Sequence, residues 1–237
     1  MPIHKIKLLN KRDVANDTMV FEFEKPDGFT FVPGQYGGFT LINPAETDVG
    51  GVTRRFSILS TPDDNHIAIA MRIQSSAFKR LLKELPPGSE IKFAGPSGTF
   101  ILHEDTNIPA IFIAGGIGIT PFYSMIKHAI KHQPSRQIIL FYGNQSSADA
   151  AFLQELSELQ NSHANFKLIA TMANPENSWQ GEVGFITDDL IHKHTRDLPS
   201  PIFYICGSLA MVNALRATLK SLDINDDNIK VEDFPGY

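Results

Sequence analysis

The 237-residue chain has a single cysteine, Cys206. That excludes an intramolecular disulfide, and one thiolate alone holds neither zinc nor an iron–sulfur cluster. No apolar run approaches the roughly 20 residues that a membrane-spanning helix needs. Residues Met1 to Asn10 alternate and carry Lys5 and Lys7, without the apolar core of a secretory signal. Positive charge is not in excess: 21 Lys and Arg against 26 Asp and Glu give a net −5, which argues against a nucleic-acid surface. Internal repeats and low-complexity segments are missing too. What remains, 42% apolar and 20% charged, can bury a real core in one large domain or two modest ones. A soluble protein of a reducing compartment, the cytoplasm, is expected.

From Ile3 to Leu102 the chain reads as short runs of period two, cut by Gly, Pro, Asn and Asp. Met19–Glu24, Phe39–Ile42, Phe56–Leu59, Ile67–Ile73 and Ile91–Phe93 are the expected strands, and this spacing suggests an antiparallel barrel or sandwich. One helix interrupts, Ala77 to Leu85, with Ser75 or Ser76 as its N-cap and Pro86-Pro87-Gly88 as its stop. After the polar link 103–107 the pattern changes. Strands Ala110–Ala114, Gln137–Tyr142, Phe166–Met172, Pro201–Cys206 and Asn228–Asp233 alternate with helices Pro121–Lys131, Asp149–Leu159, Asp188–His192 and Leu209–Leu222. Such alternation predicts a parallel sheet with right-handed crossovers, and ligands sit beyond the carboxyl ends of its strands.

The most informative of those ends is Ile111-Phe112-Ile113-Ala114-Gly115-Gly116-Ile117-Gly118-Ile119-Thr120-Pro121-Phe122. A buried strand stops at a glycine cluster, and Thr120-Pro121 opens a helix. Glycines admit an anion close to the backbone, and the free N–H groups of a helix start favour phosphate. An ordinary strand-to-helix turn has the same grammar. In the first half, Arg54 and Phe56 lie two apart on one strand face, so one ligand could meet a cation and a ring. Ser76 heads a helix, where plain capping competes with phosphate binding. The histidines fall in turns or on helix surfaces with no carboxylate or thiol cluster beside them, so no metal site is expected.

Taken together these motifs resemble the ferredoxin–NADP⁺ reductase family, in which a flavin-binding antiparallel barrel precedes an α/β nicotinamide-nucleotide domain. Arg54-Arg55-Phe56-Ser57 resembles the family's Arg-x-Tyr-Ser/Thr flavin motif, with Phe for Tyr, and Ser76 its phosphate-binding Ser, without the usual preceding glycines. Gly95-Pro96-Ser97-Gly98 resembles the barrel's closing turn. Gly115-Gly116-x-Gly118-x-Thr120-Pro121 resembles the pyrophosphate loop, and Cys206-Gly207-x-x-x-Met211 the segment beside the nicotinamide. Glu232 to Tyr237 resembles the acidic–aromatic ending of many members.

The resemblance implies two domains, residues 1–104 for FAD and 105–237 for NAD(P). Arg54 would neutralise flavin phosphate, and Phe56 would lie against the flavin ring. Ser57 would bond near N5, and Met71, Arg72 and Ile73 would contact the phosphate and nucleotide arm. Ser76 at the pyrophosphate favours FAD over FMN. Gly115, Gly116, Gly118 and Pro121 would hold the nicotinamide nucleotide with Gly207 and Met211, and Thr120 would touch both cofactors. Cys206 would stand near the nicotinamide without acting as a nucleophile. Phe234 or Tyr237 would cover the other flavin face. Ser57, Thr120, Cys206 and Tyr237 are thus the residues expected at the reaction itself. The segment from Gly143 to Asp149 has no basic residue, and Asn144 and Asp149 suit a free ribose hydroxyl, so NADH is favoured over NADPH; Asp149 is equally suited to cap the next helix.

With no fused cluster or haem in the chain, the resemblance implies a separate electron acceptor: ferredoxin, flavodoxin, a cytochrome, an oxygenase component, or a diffusible flavin or ferric chelate. A monomer or weak dimer is expected. The competing reading is a non-catalytic NAD(H)-binding sensor or docking module, which needs only the second half.

Overall fold

The computed structural model describes residues 2–74 and 76–233. Six strands build the first sheet: β1 (Ile3–Ala15), β2 (Thr18–Glu24), β3 (Tyr36–Leu41), β4 (Thr53–Ser57), β5 (His66–Arg72) and β6 (Glu90–Ser97). Their order is β4-β3-β6-β1-β2-β5, and every pairing is antiparallel. The two edges meet just past β4, where the Leu59 N–H donates to the Ala68 carbonyl at 2.8 Å and Ala68 donates to Ser60 Oγ at 3.0 Å. The sheet closes into a barrel around Phe21, Phe23, Phe39 and Phe93, with helix α1 (Ala77–Glu84) plugging one side through Phe78 and Leu82.

The second sheet is parallel, in the order β10-β9-β8-β7-β11-β12. Its strands are β7 (Ala110–Gly115), β8 (Ile138–Asn144), β9 (Phe166–Met172), β10 (Glu182–Val183), β11 (Ile202–Gly207) and β12 (Ile229–Asp233). Alternation along β7 decides the two layers. Phe112 and Ala114 face α2 (Ile119–His132) and α3 (Leu153–Ser162), whereas Ile111 and Ile113 face α4 (Asp188–Thr195) and α5 (Leu209–Ser221). Strand order runs outward in opposite directions from β7 and β11, so the crevice between their carboxyl ends is the switch point where such sheets bind ligands. The barrel's Val20, Leu59, Ala68 and Ala70 share a core with α2, so an apolar layer joins the two halves.

Several sequence-based boundaries shift for local reasons. Strand β1 runs 13 residues, far beyond the expected short run, and its register irregularities let it pair β6 at one end and β2 at the other. Gly95-Pro96-Ser97 is not a turn but the last part of β6. The helix expected from Asp149 starts at Leu153, because Phe152 takes a left-handed φ of 63° ahead of it. Asp149 therefore ends a single 3₁₀ turn, Ser147–Asp149, and caps nothing. Ser76 occupies the N-cap position of α1; Ser75 lies outside the described residues. The two-residue β10 has too little periodicity to be read from sequence.

Candidate functional site

The first part of the site lies where β4 meets the start of α1. The Arg54 guanidinium donates to Asp48 Oδ1 at 2.5 Å, to the Gly51 and Thr53 carbonyls at 2.9 and 3.0 Å, and to the Gly50 carbonyl. Asp48 Oδ2 accepts from Ser76 Oγ at 3.1 Å and from the Ala77 N–H at 2.8 Å. An oxyanion thus sits on a helix start, held by a guanidinium, a hydroxyl and a backbone amide. That donor set also suits a phosphate. The Arg54 contact, ahead of the Ser76 and backbone bonds, holds the Asp48 carboxyl down at about 2. Lys79, one turn into α1, has its ammonium pulled below the usual lysine range by burial and then by the charges of Arg54 and Arg72. The charges of Arg54 and Arg72 thus both bear on Lys79. Sequence reading found Arg54 and Ser76; it missed Lys79 and Asp48, although Lys79 sits three residues after the N-cap.

Phe56 is half-buried, 5.9 Å from the rings of Phe39 and Phe78, and the Arg54 guanidinium lies 5.5 Å over Phe78. The expected sharing of one face by cation and ring holds, with Phe78 between them. Ser57, next on the strand, faces the other way. It is buried, and its Oγ has no hydrogen-bond partner. A buried hydroxyl left unpaired costs about 1–3 kcal/mol, so a ligand edge that bonds it repays the fold. Met71 is buried in the barrel core, which leaves its backbone alone for a ligand, and the Ile73 N–H is already taken by the Asp17 carbonyl at 2.6 Å.

The second part is a cleft of about 440 Å³ beyond the carboxyl ends of the parallel strands. Gly115 and Gly116 line it from β7, Gly143 and Asn144 from β8, and Ser208 and Met211 from the start of α5. Close approach requires glycine at position 118 above all. A Cβ on Gly118 would lie 2.4 Å from the Cys206 carbonyl oxygen, and one on Gly115 would strike the Met211 sulfur. Gly116 takes a φ of 51°, which admits few side chains. Asn144 lines the cleft with both amide atoms buried and making no hydrogen bond of good geometry; the nearby Tyr142 hydroxyl donates to the Ala151 carbonyl at 3.1 Å. Arg72 enters the cleft from β5 of the barrel. The segment from Gly143 to Asp149 carries no basic residue, as read from the sequence, but a strand from the first half, invisible to a local reading, delivers one to this rim.

The remaining candidates are placed as follows. Thr120 is buried, and its hydroxyl donates to the Ile117 carbonyl at 3.1 Å, while Pro121 is buried beside it in the first turn of α2. Cys206 is fully buried, and burial followed by the charges of Glu232 and Asp233 pushes its thiol well up, which disfavours the thiolate. Gly207 packs against Met211. Asp149 is held by Ser146 Oγ at 2.6 Å and the Asn16 amide at 3.2 Å, a clasp between the halves of the chain. Glu232, paired in register with Cys206, has a buried Oε2 without a partner, and burial followed by the Asp233 charge raises its carboxyl to about 7. Sequence reading named Glu232 only as part of an ending, because nothing local marks its burial. Phe185, exposed on the cleft's rim, was missed too. Phe234 and Tyr237 lie outside the described residues.

Two family models match the chain: "Oxidoreductase FAD-binding domain" over residues 5–101 and "Oxidoreductase NAD-binding domain" over residues 112–217. Among curated proteins, a flavohemoprotein of Oceanobacillus iheyensis is 26% identical over 96% of this chain and 58% of its own length. A component polypeptide of the Na⁺-translocating NADH-quinone reductase of Serratia proteamaculans is 28% identical over 94% of this chain and 58% of its own length. The chain thus spans less than two thirds of both relatives. Among solved structures, an Amycolatopsis cytochrome P450 reductase superposes with a TM-score of 0.84 at 24% identity, covering 98% of this chain and 70% of that one. The ferredoxin-NADP⁺ reductase of Plasmodium falciparum gives 0.78 at 22% identity, covering 97% and 95%. Among the described residues no helix is long and apolar enough to cross a membrane.

Proposed function

The chain belongs to the ferredoxin–NADP⁺ reductase-like family of two-domain oxidoreductases, and on that premise we propose that it is an FAD-dependent NAD(P)H reductase serving a separate electron acceptor. The observation that carries the reading is the Ser57 hydroxyl, buried without a partner on a strand that also bears Arg54 and Phe56. With the domain boundary proposed between residues 104 and 105, this hydroxyl belongs to the flavin half, and the FAD-binding model, which matches residues 5–101, supports that.

FAD, when bound, supplies the chemistry of accepting a hydride from nicotinamide and releasing its electrons onward. Arg54, Lys79, Ser76 and the Ala77 amide hold its pyrophosphate in place of Asp48. Phe56 and Phe78 offer an apolar wall to its ring system, and Ser57 offers one hydrogen bond near N5. Gly115, Gly116 and Gly118 let the nicotinamide nucleotide approach the start of α2, with Asn144 and Arg72 as its polar contacts. Buried Thr120 and Cys206 shape and dry the place where donor and flavin meet, so the contribution of the chain is positioning and exclusion of water.

NADH is the favoured donor, since the segment following β8 carries no cation of its own, and Arg72, entering the same cleft from β5, is the one charge among the described residues there that would suit a 2′-phosphate. The acceptor is a protein such as a ferredoxin, flavodoxin, cytochrome or oxygenase component, or a diffusible flavin or ferric chelate, and the place of work is the cytoplasm. The test is reconstitution with FAD followed by ferricyanide reduction with each nucleotide. Faster turnover with NADH supports the assignment; equal or better use of NADPH overturns the donor preference, and failure to take up FAD overturns the function.

A further inference from the structure

Outside the cofactor sites, the face of α2 that meets the barrel carries Ser124, His128 and His132, spaced by one helical turn each. Ser124 Oγ donates to the Ser60 carbonyl at 2.6 Å, which fixes this face against the connection between β4 and β5. Two turns further, His132 Nε2 lies 2.6 Å from Asp63 Oδ2 in the same connection. Between them, the Nδ1 of His128 is buried and has no hydrogen-bond partner. The two imidazole rings stand 4.3 Å apart, and the ligand atoms of Asp63, His128 and His132 all lie within 4.8 Å of one another.

The loop that presents Asp63 is pinned. Thr61 donates to Asp64 Oδ2 through its N–H at 2.7 Å and its hydroxyl at 3.1 Å. Lys25 donates to the Pro62 and Asp64 carbonyls at 2.7 and 3.0 Å, one on each side of Asp63. The helix fixes the two histidines as firmly.

We propose that Asp63, His128 and His132 form a binding site for a divalent transition-metal ion of the zinc class, one that clasps the barrel to the nucleotide-binding half. Two imidazoles and one carboxylate are a familiar three-ligand set for such ions, with a fourth position left to water. Ligand bonds of about 2.0–2.2 Å set ligand atoms roughly 3.4 Å apart in a tetrahedral site, so small ring rotations complete the geometry. The unpaired Nδ1 of His128 is the atom that gains most, because a metal gives it the partner the protein does not. Asp63 also accepts from the Lys131 ammonium at 2.9 Å, and the metal competes with that exposed cation for the carboxylate. The site joins Asp63 from the first sheet's connection to a helix of the second sheet, so its occupancy ties two parts whose relative position shapes the cofactor crevice.

The test is calorimetric titration of the flavin-loaded protein with Zn²⁺, followed by Co²⁺ absorption spectroscopy. One equivalent of Zn²⁺ is expected, with the thermal midpoint rising as it binds and Co²⁺ giving the visible bands of a low-coordinate nitrogen–oxygen site. His132→Ala and Asp63→Asn, both at groups near the surface, should each weaken Zn²⁺ binding at least tenfold while flavin content and circular dichroism stay unchanged. Lys131→Ala should tighten it several-fold by freeing the carboxylate. His192→Ala, away from this face, is the control and should change nothing. Absence of stoichiometric uptake, uptake that survives either ligand substitution, or no tightening in Lys131→Ala would overturn the proposal.

Discussion

Asp48 and Arg54 form an ion pair at 2.5 Å, on the spot where a helix start and a hydroxyl also point at the carboxylate. A carboxylate held in this way competes with a phosphate for the same donors. Arg54→Ala should lower flavin affinity by at least tenfold, since a charge-assisted contact of about 1.5–3 kcal/mol is lost. Asp48→Asn should have the opposite effect and tighten flavin, because the competitor loses its charge. Fluorescence titration of the apoprotein with FAD reads both, and a loss of affinity in Asp48→Asn would show that Asp48 supports the site rather than filling it.

Ser57→Ala separates binding from folding. Removing a buried hydroxyl that lacks a partner should raise apoprotein stability by about 1 kcal/mol. The same substitution should slow NADH-dependent flavin reduction, since the hydrogen bond near N5 is gone. Denaturant unfolding and stopped-flow reduction make the comparison. A destabilised apoprotein would mean that the hydroxyl already has a partner.

Glu232 gives the pH dependence. Its folded carboxyl is raised to about 7 by burial, against an ordinary value near 4.5. Between those values the folded state holds a proton that the unfolded state has released. Stability is therefore fully present below about 4.5 and falls as pH rises through 7, by roughly 3 kcal/mol at most. Glu232→Gln should flatten that slope, and urea unfolding across pH 5–8 measures it. An unchanged slope would assign the effect to other groups.

Gly118→Ala should damage the fold and the nucleotide site together. The added methyl would meet a backbone oxygen at 2.4 Å, where no flexible side chain can yield. A loss of about 1–3 kcal/mol is expected, with a weaker nicotinamide-nucleotide affinity. Cys206 makes a complementary case: its buried thiol should resist iodoacetamide in the folded protein and react only on unfolding. Modification of the native protein at an ordinary thiol rate would contradict its placement.

The two-domain architecture was legible because its signals are local. Period-two runs marked the barrel strands, and alternation of apolar runs with amphipathic segments marked the parallel sheet. The run from Gly115 to Gly118 was legible for the same reason, since Gly118, which admits no Cβ, and Gly116, at positive φ, are both written in glycine. What stayed hidden depends on contacts across sequence distance. Arg72 reaches the cleft from a barrel strand, Lys79 gains meaning only beside Arg54 and Arg72, and Asp63 meets His132 across 69 positions. His132 read as a surface residue and is one, but its meeting with Asp63 was hidden because that partner lies in another element. Asp149 read as a cap because the left-handed Phe152 that delays α3 has no sequence signature.

The central claim is that one chain carries both a flavin and a hydride donor in working contact. Anaerobic titration of the FAD-reconstituted protein with NADH tests it most directly. The expected result is a yellow protein whose visible flavin band bleaches with one equivalent of NADH and returns when ferricyanide is added. A flavin band unmoved by excess NADH and NADPH would contradict it.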